Sequence, residues 1–345
     1  MKLATGFGYW AGLPPEHAVE HLQEAERLGY DIAFTAETWG SDAFTPLAWW
    51  GAHTERIRLG TSIVQMAART PAACAMSALT LDHLCDGRFS LGLGLSGPQV
   101  VEGWYGQPFA RPLERTREYV GIIRDILARD EPVTNDGPHF PLPYDGPGAL
   151  GLGKPLKSMV HPLRHDLPIL LGSEGPKNVA LTAEIADGWL PLYMGAHTAH
   201  VWRRWLEEGW ARPGARRGPD DFEIIGGSIV VTDDRRAAMD AMKPNIAFYI
   251  GGMGAKDVNF HKDAFSRLGW ESEAEEIQTL FLDGRRADAT ALVTDEMVLD
   301  QGIIGNAAEI RAELPRWAEA GFTTMRVRGG GIDDLRIAAE VVLGA

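Results

Sequence analysis

The run Leu171-Gly172-Ser173-Glu174-Gly175-Pro176-Lys177-Asn178 has the makings of a phosphate cradle. Glycines let the backbone approach an anion, Pro176 can open a helix whose first N–H groups point outward, and Lys177 adds positive charge. The plainer alternative is an ordinary helix start with proline at its first position. A second anion candidate, ranked below the first, joins Arg326 and Arg328 to Gly329-Gly330-Gly331. Gly92-Leu93-Gly94-Leu95-Ser96-Gly97 spells the dinucleotide-binding pattern letter for letter, but its context is wrong. The acid due about 20 residues on, at the end of the next strand, falls at Glu114 to Glu118 inside a helical pattern, and Pro98 follows the third glycine. These glycines are better suited to letting a strand pass close to a ligand ring. Glu37 is the carboxylate placed directly after a strand pattern in the first three units, either a general acid or a structural hydrogen-bond acceptor. His53 lies within a helical pattern and reads as a surface or core residue. No nucleophile elbow, Walker loop, HExxH motif, paired carboxylates or zinc-like Cys/His spacing occurs, so no metal is expected.

Short apolar runs alternate with amphipathic stretches almost from end to end. Strands are expected over 3–9, 31–35, 57–65, 89–95, 168–171, 188–193, 222–231 and 323–327. Helices are expected over 14–29, 44–54, 71–84, 113–129, 177–186, 198–210, from 235, over 305–320 and over 333–343. In the first helix Ala18, Leu22, Ala25 and Leu28 recur at three- and four-residue spacing, which makes one apolar stripe. Strands separated by helices pair in parallel, and eight such units close into a (β/α)8 barrel rather than an open sheet. The chain reads as a single domain over 1–345, with insertions after the fourth and seventh units. The first, 131–168, holds eight of the 21 prolines and the run Gly146, Gly148, Gly151, Gly153; it reads as an excursion over the barrel mouth or a lid. The second, 251–304, reads as short helices without a strand of its own.

Chemistry in such a barrel sits where strands end. That rule selects Tyr9 and Trp10, Glu37 to Trp39, 62–70, 96–105 with Trp104 and Tyr105, 173–178, and Tyr193 with Met194. Trp10, Trp39 and Trp104 come from different loops and would converge on one mouth, which suits a flat conjugated ligand. Taken singly, each tryptophan could equally pack its own loop.

A formal charge of −14 argues against nucleic-acid partners and anionic membrane surfaces, both of which need a basic face. Cys74 and Cys85 are about 16 Å apart along one helix at ~1.5 Å per residue, too far to bridge, and read as reduced core residues. The N-terminus has no cleavage pattern, and no apolar run approaches the ~18 residues that would cross a bilayer. The expected location is cytoplasmic.

Several stretches, in order, resemble a known family. They are Ala25-Glu26-Arg27-Leu28-Gly29-Tyr30-Asp31, Arg58-Leu59-Gly60-Thr61-Ser62-Ile63-Val64 with Arg69-Thr70-Pro71, Gly92-Leu93-Gly94, Gly175-Pro176-Lys177-Asn178, and Ala186-Asp187-Gly188-Trp189. Together they resemble the bacterial luciferase-like monooxygenases, and within them the coenzyme F420-dependent oxidoreductases. The resemblance implies a TIM barrel with a tricyclic ring over the strand ends and a non-prolyl cis peptide at Ser62-Ile63 behind it. It implies cofactor contacts from Thr61, Ser62, Ile63, Gly94, Leu95, Ser96, Gln99 and Val100. The phosphate position falls on Gly172, Ser173, Glu174, Gly175, Pro176 and Lys177. Glu37 and Trp39 are assigned to the chemistry, and Tyr9, Trp10, Trp104 and Tyr193 to a pocket for a small-molecule substrate. Several relatives carry Asp or His after the second strand, where this chain has Glu37-Thr38-Trp39. The implied activity is hydride transfer between F420 and a small organic substrate. The alternatives are an FMN-dependent monooxygenase of the same fold and a non-catalytic flavin or F420 carrier; a barrel hydrolase lacks its carboxylate pair. The relatives imply a homodimer.

Overall fold

A computed structural model describes residues 1–10, 12–254, 256–328 and 331–344. β1 (Lys2–Gly8) buries Leu3, Ala4 and Thr5, and β2 (Ile32–Thr35) is buried along its whole length. Strands this apolar need cover on both faces, and intervening helices supply it. α1 (Ala18–Arg27) turns Leu22 and Ala25 inward, and α2 (Phe44–Gly51) buries Phe44, Leu47 and Trp50. β3 (Arg58–Thr61) and the two-residue β4 (Val64–Gln65) come next. α3 (Pro71–Leu84) follows, its first turn capped by the Thr70 hydroxyl. β5 (Phe89–Gly94), the short α4 (Pro98–Gly103), α5 (Pro112–Ala128), β6 (Ile169–Gly172) and α6 (Pro176–Ile185) continue the alternation. β7 (Gly188–Trp189), α7 (Ala199–Trp210) and β8 (Glu223–Val231) follow. A helical series then runs through α8 (Arg235–Gly252), α9 (Phe260–Phe265), α10 (Glu271–Leu282), α11 (Arg286–Ala291) and α12 (Asp295–Leu299). β9 (Gly302–Gly305), α13 (Ala307–Ala320), β10 (Thr324–Val327) and α14 (Ile332–Leu343) end the chain.

The hydrogen-bonded order β10-β1-β2-β3-β5-β6-β7-β8, with β8 returning to β10, closes a barrel of eight parallel strands. The expected (β/α)8 architecture is therefore the observed one. By its internal contacts the chain divides into two compact units. One comprises Met1–Gly6, His17–Ala33 and Gly172–Ala345, the other Phe7–Glu16 and Phe34–Leu171.

In the second of these units the strand expected over 57–65 is interrupted. Gly60 pairs with Ser90 and Val64 with Leu93, so four steps on one strand answer three on the other, which is a bulge. The break falls at Ser62-Ile63, whose peptide bond is cis, as the resemblance implied. The two ends of the 131–168 insertion are fixed by what they contact. It leaves the end of α5 and returns at the start of β6, so both of its anchors lie at the strand-start end. There Arg164 grips the Asp82 carboxylate and the Phe89 carbonyl where β5 begins, and the His161 carbonyl meets His83 Nε2 at 2.8 Å. The insertion then runs along α5, where Glu118 accepts the His139 and Phe140 amides at 3.1 Å and the Phe140 ring packs on Tyr119.

In the other unit, β10 occupies one edge of β8, so β7 at its start and β9 at its end share the opposite edge. β9 corrects the expectation that 251–304 has no strand. Gly302 and Gly305 flank only two isoleucines, too short a run to stand out. The strand expected over 188–193 shrinks to β7, because Pro191 follows closely. α1 opens at Ala18 rather than at Pro14, after His17 takes a left-handed conformation with φ 53°. The helices α8 to α12 build their own apolar core from Met239, Ile246, Ile250, Phe265, Ile277 and Met297, joined by Tyr193 from the loop after β7.

Candidate functional site

In the unit that holds β3 to β5, the bulge sets the local geometry. The Thr61 hydroxyl donates to the Gly92 carbonyl at 2.7 Å and accepts the Gly92 amide at 2.8 Å, clipping β3 to β5 just before the break. Ile63 is then carried over Gly94, where an added Cβ would lie 2.8 Å from Ile63 Cγ1 and Cδ1. Gly94 is thus glycine because Ile63 fills its side-chain space. Beyond it Ser96 turns the chain with φ 59° into α4. Ser62, Ile63, Leu95, Ser96 and Val100 are half-buried and Gln99 is exposed, so this strand end offers a partly exposed, mainly apolar ledge. A flat ring needs such a ledge for support. Thr61 is fully buried with its hydroxyl spent on Gly92, and acts as the clip beneath the ledge rather than as a ligand contact.

Glu37 is built into the local structure on several sides. Its carboxylate accepts the Gln65 amide at 2.9 Å, the Ala43 amide at 3.4 Å, and Arg69 Nη1 at 2.8 and 3.0 Å. Arg69 reaches on to Asp42 with Nη2, lies over the Phe44 ring, and has its own carbonyl bonded by Tyr119 Oη at 3.0 Å. Burial works against the guanidinium charge, but Glu37 and Asp42 hold its pKa above the ordinary arginine value. With both oxygens engaged, Glu37 ties the β2 loop to the bulge.

The loops bearing the three tryptophans are laced together. The Trp10 amide donates to Ser41 Oγ at 2.9 Å, and Tyr105 Oη donates to the Thr38 carbonyl at 3.0 Å. Trp39 and Trp104 are 53% and 64% exposed, and Tyr9 is 42% exposed, so these rings are available to a ligand. Trp10 Nε1 is buried with no hydrogen-bond partner among the described residues.

In the other unit, the loop after β6 leads into α6 at Gly175, with Pro176 at the first helical position and no side-chain cap. Asn178 and Val179 donate to the Gly175 carbonyl at 3.0 and 2.8 Å and Pro176 has no N–H, so of the first turn the Lys177 amide is left for an outside acceptor. Lys177 is exposed and in no ion pair among the described residues. Ser173 faces inward: its hydroxyl lies 2.8 Å from that of Thr182, and its carbonyl accepts Trp189 Nε1 at 2.9 Å. Glu174 turns to His261 on α9, with Nδ1 at 3.0 and 3.1 Å from its two oxygens. Tyr193 is only 4% exposed and packs edge-on to Tyr249 and His261, so it is a wall behind His261 rather than a free pocket ring. Asp300, at the end of α12, holds the loop after β7. It accepts the Gly195, His197 and Thr198 amides at 2.9 to 3.2 Å and the Thr198 hydroxyl at 2.7 Å. Burial pulls Arg326, beside Arg328, down to about 10, while Gly329 and Gly330 of that second anion candidate lie outside the described residues.

Arg69, Asp300 and His261 are functional-looking groups that the sequence reading left without a role. Arg69 opens the stretch Arg69-Thr70-Pro71, yet nothing local ties it to Glu37, 32 positions away. His261 is 87 positions from Glu174, in a stretch without periodic signal.

Residues 4–324 match the family model described as luciferase-like monooxygenase. A putative coenzyme F420-dependent oxidoreductase of Mycobacterium tuberculosis is 54% identical over 343 residues, 99% of each chain. Among solved structures, the coenzyme F420-dependent tetrahydromethanopterin reductase from Methanopyrus kandleri superposes with TM-score 0.79 at 21% identity, covering 100% of this chain and 99% of that one. An F420-dependent secondary alcohol dehydrogenase, in complex with an F420-acetone adduct, gives TM-score 0.76 at 19% identity and 99% coverage of both. Among the described residues no helix is long and apolar enough to cross a membrane.

Proposed function

The chain belongs to the luciferase-like monooxygenase family, and from that membership we propose that it is an F420-dependent oxidoreductase acting on a small organic substrate. The observation that carries this is 54% identity, over nearly the whole of both chains, to a relative named for coenzyme F420. The ledge at the bulge supports it independently, since Ile63 above Gly94 presents a partly exposed apolar surface at a strand end. Bound F420 supplies a two-electron hydride donor or acceptor; the chain's residues bind, orient and exclude water. Ser62, Ile63, Gly94, Leu95, Ser96, Gln99 and Val100 would back the ring. The amides of Gly172, Gly175 and Lys177, with the Lys177 ammonium, would take a phosphate group of the cofactor. Trp10, Trp39 and Trp104 would line the substrate side.

Titration of the purified protein with F420 and, separately, FMN, followed by tryptophan fluorescence, tests the proposal. Saturation at micromolar F420 but not FMN supports it and leads to a panel of small ketones and secondary alcohols as substrates. The opposite preference makes the protein a flavin enzyme, and no quenching with either removes the cofactor site. The homodimer implied by the resemblance is measured by sedimentation velocity.

A further inference from the structure

In the unit that holds β3 to β5, the loops at the ends of β1, β2 and β5 meet around one residue. Gly40 lies so close to the β1 loop that an added Cβ would collide with the Trp10 carbonyl and lie 3.7 Å from the Tyr9 ring. Thr38 offers its carbonyl at 3.0 Å to Tyr105 Oη, from the segment that follows α4. Trp39, between these two contacts, is 53% exposed, and Trp104, next to Tyr105, is 64% exposed. Rings left this open on loops this firmly tied present flat apolar faces to a ligand. The same β2 loop reaches the ledge, because Glu37 accepts the Gln65 amide just past the bulge at 2.9 Å. Ledge and tryptophans therefore belong to one connected surface within a single unit.

The charges along this surface are one-sided. Over 9–16, 36–43, 62–70 and 95–111 the sequence carries two cations, Arg69 and Arg111, against four carboxylates, Glu16, Glu37, Asp42 and Glu102, and no histidine. Arg69 is spent on Glu37 and Asp42, and Arg111 pairs with Glu114 at 3.3 Å. An anionic substrate would meet negative charge here, and stripping water from a carboxylate or phosphate is costly where no cation receives it. An uncharged apolar body meets no such cost and gains contact with the open rings. We propose that the substrate is an uncharged secondary alcohol or ketone with an apolar ring or chain that seats on Trp39 and Trp104, and that this surface selects against anionic substrates. The inference rests on the oxidoreductase function proposed above and names the substrate class for that site. Trp39 and Trp104 are then the residues that set specificity, and affinity grows with the apolar body they cover.

The test compares propan-2-ol, 1-phenylethanol and mandelate, which carries a carboxylate where 1-phenylethanol has its methyl group. Calorimetric titration into the protein loaded with oxidised F420 should show 1-phenylethanol binding about tenfold or more tighter than either of the others. W39A and W104A should each weaken 1-phenylethanol about tenfold. Both should leave propan-2-ol binding, the urea midpoint and F420 affinity, followed by the cofactor's own absorbance, unchanged. Mandelate binding as tightly as 1-phenylethanol, no binding of 1-phenylethanol, or tryptophan variants that bind it as the wild type does overturns the substrate class and leaves the F420 reading standing. Failure of the wild type to bind F420 overturns the proposed function and the substrate class together, while the same titrations on cofactor-free protein still decide whether the Trp39 and Trp104 surface selects against anions.

Discussion

Arg69 and Glu37 form an ion pair with 21% and 4% of their side chains exposed, and each supplies what the other needs to be buried as an ion. Removing Glu37 leaves Arg69 with only the more exposed Asp42 as counterion, and losing a partner of a buried charge is among the larger effects a single substitution produces. Glu37→Gln should therefore lower stability by about 3 kcal/mol, seen as an earlier urea midpoint with an unchanged slope. A proton-donating Glu37 predicts something different: an unchanged urea midpoint and loss of rate at the chemical step. The two outcomes separate positioning from catalysis at this residue. Ile63 and Gly94 pose the opposite problem, since the fit is already tight. A methyl group at Gly94 would displace Ile63 and cost about 1–3 kcal/mol of packing or bend the ledge instead.

At the scale of elements, Asp300 shows how the helical insertion governs a barrel loop. Its carboxylate receives three amides and one hydroxyl from residues 195–198, and a side chain at Gly195 would collide with the Asp300 backbone. Burial pushes the Asp300 pKa up to about 7, against the pull of those donors. The free side chain titrates near ~3.9, so between the two values the folded protein holds the proton that the unfolded chain has released. Stability from this group is then greatest at low pH and falls as pH rises toward 7. Asp300→Asn should flatten that decline relative to wild type, and should speed hydrogen exchange at Gly195, His197 and Thr198. Parallel denaturation series across this pH range check the first, and exchange mass spectrometry the second. The sequence displayed the eight units because each pairs an apolar run with an amphipathic helix, a local signal. The turn from β6 into α6 lies in one continuous stretch and was legible too, whereas the break at Ser62-Ile63 came from the resemblance and interrupted a strand that its β-branched residues alone had made continuous. The sequence hid β9, since four residues with glycine at both ends carry no period. It hid the Glu37–Arg69 and Glu174–His261 pairs because they are made by folding across 32 and 87 positions.

For the whole molecule, the rule that barrels separate stability from chemistry by face has a concrete form in the unit that holds β3 to β5. The ledge at Ser62, Ile63 and Gly94 stands where strands end. The insertion over 131–168 is anchored where they begin, through Arg164 on Asp82 at 2.7 and 3.1 Å and on the Phe89 carbonyl. Asp82 is 2% exposed and also accepts the Phe89 amide at 3.2 Å, so it depends on Arg164 for its countercharge. Arg164→Ala should cost about 3 kcal/mol for the stranded carboxylate, yet leave F420 affinity unchanged once corrected for the folded fraction. Gly94→Ala should do the reverse, weakening F420 binding about tenfold with a smaller loss of stability, because the displaced Ile63 stands at the ledge itself. Urea unfolding and fluorescence titration on the same two variants check both halves. If Arg164→Ala weakened F420 binding as much as Gly94→Ala does, the insertion would be acting on the site after all, and the division of labour between the two ends of the strands would fail for this protein.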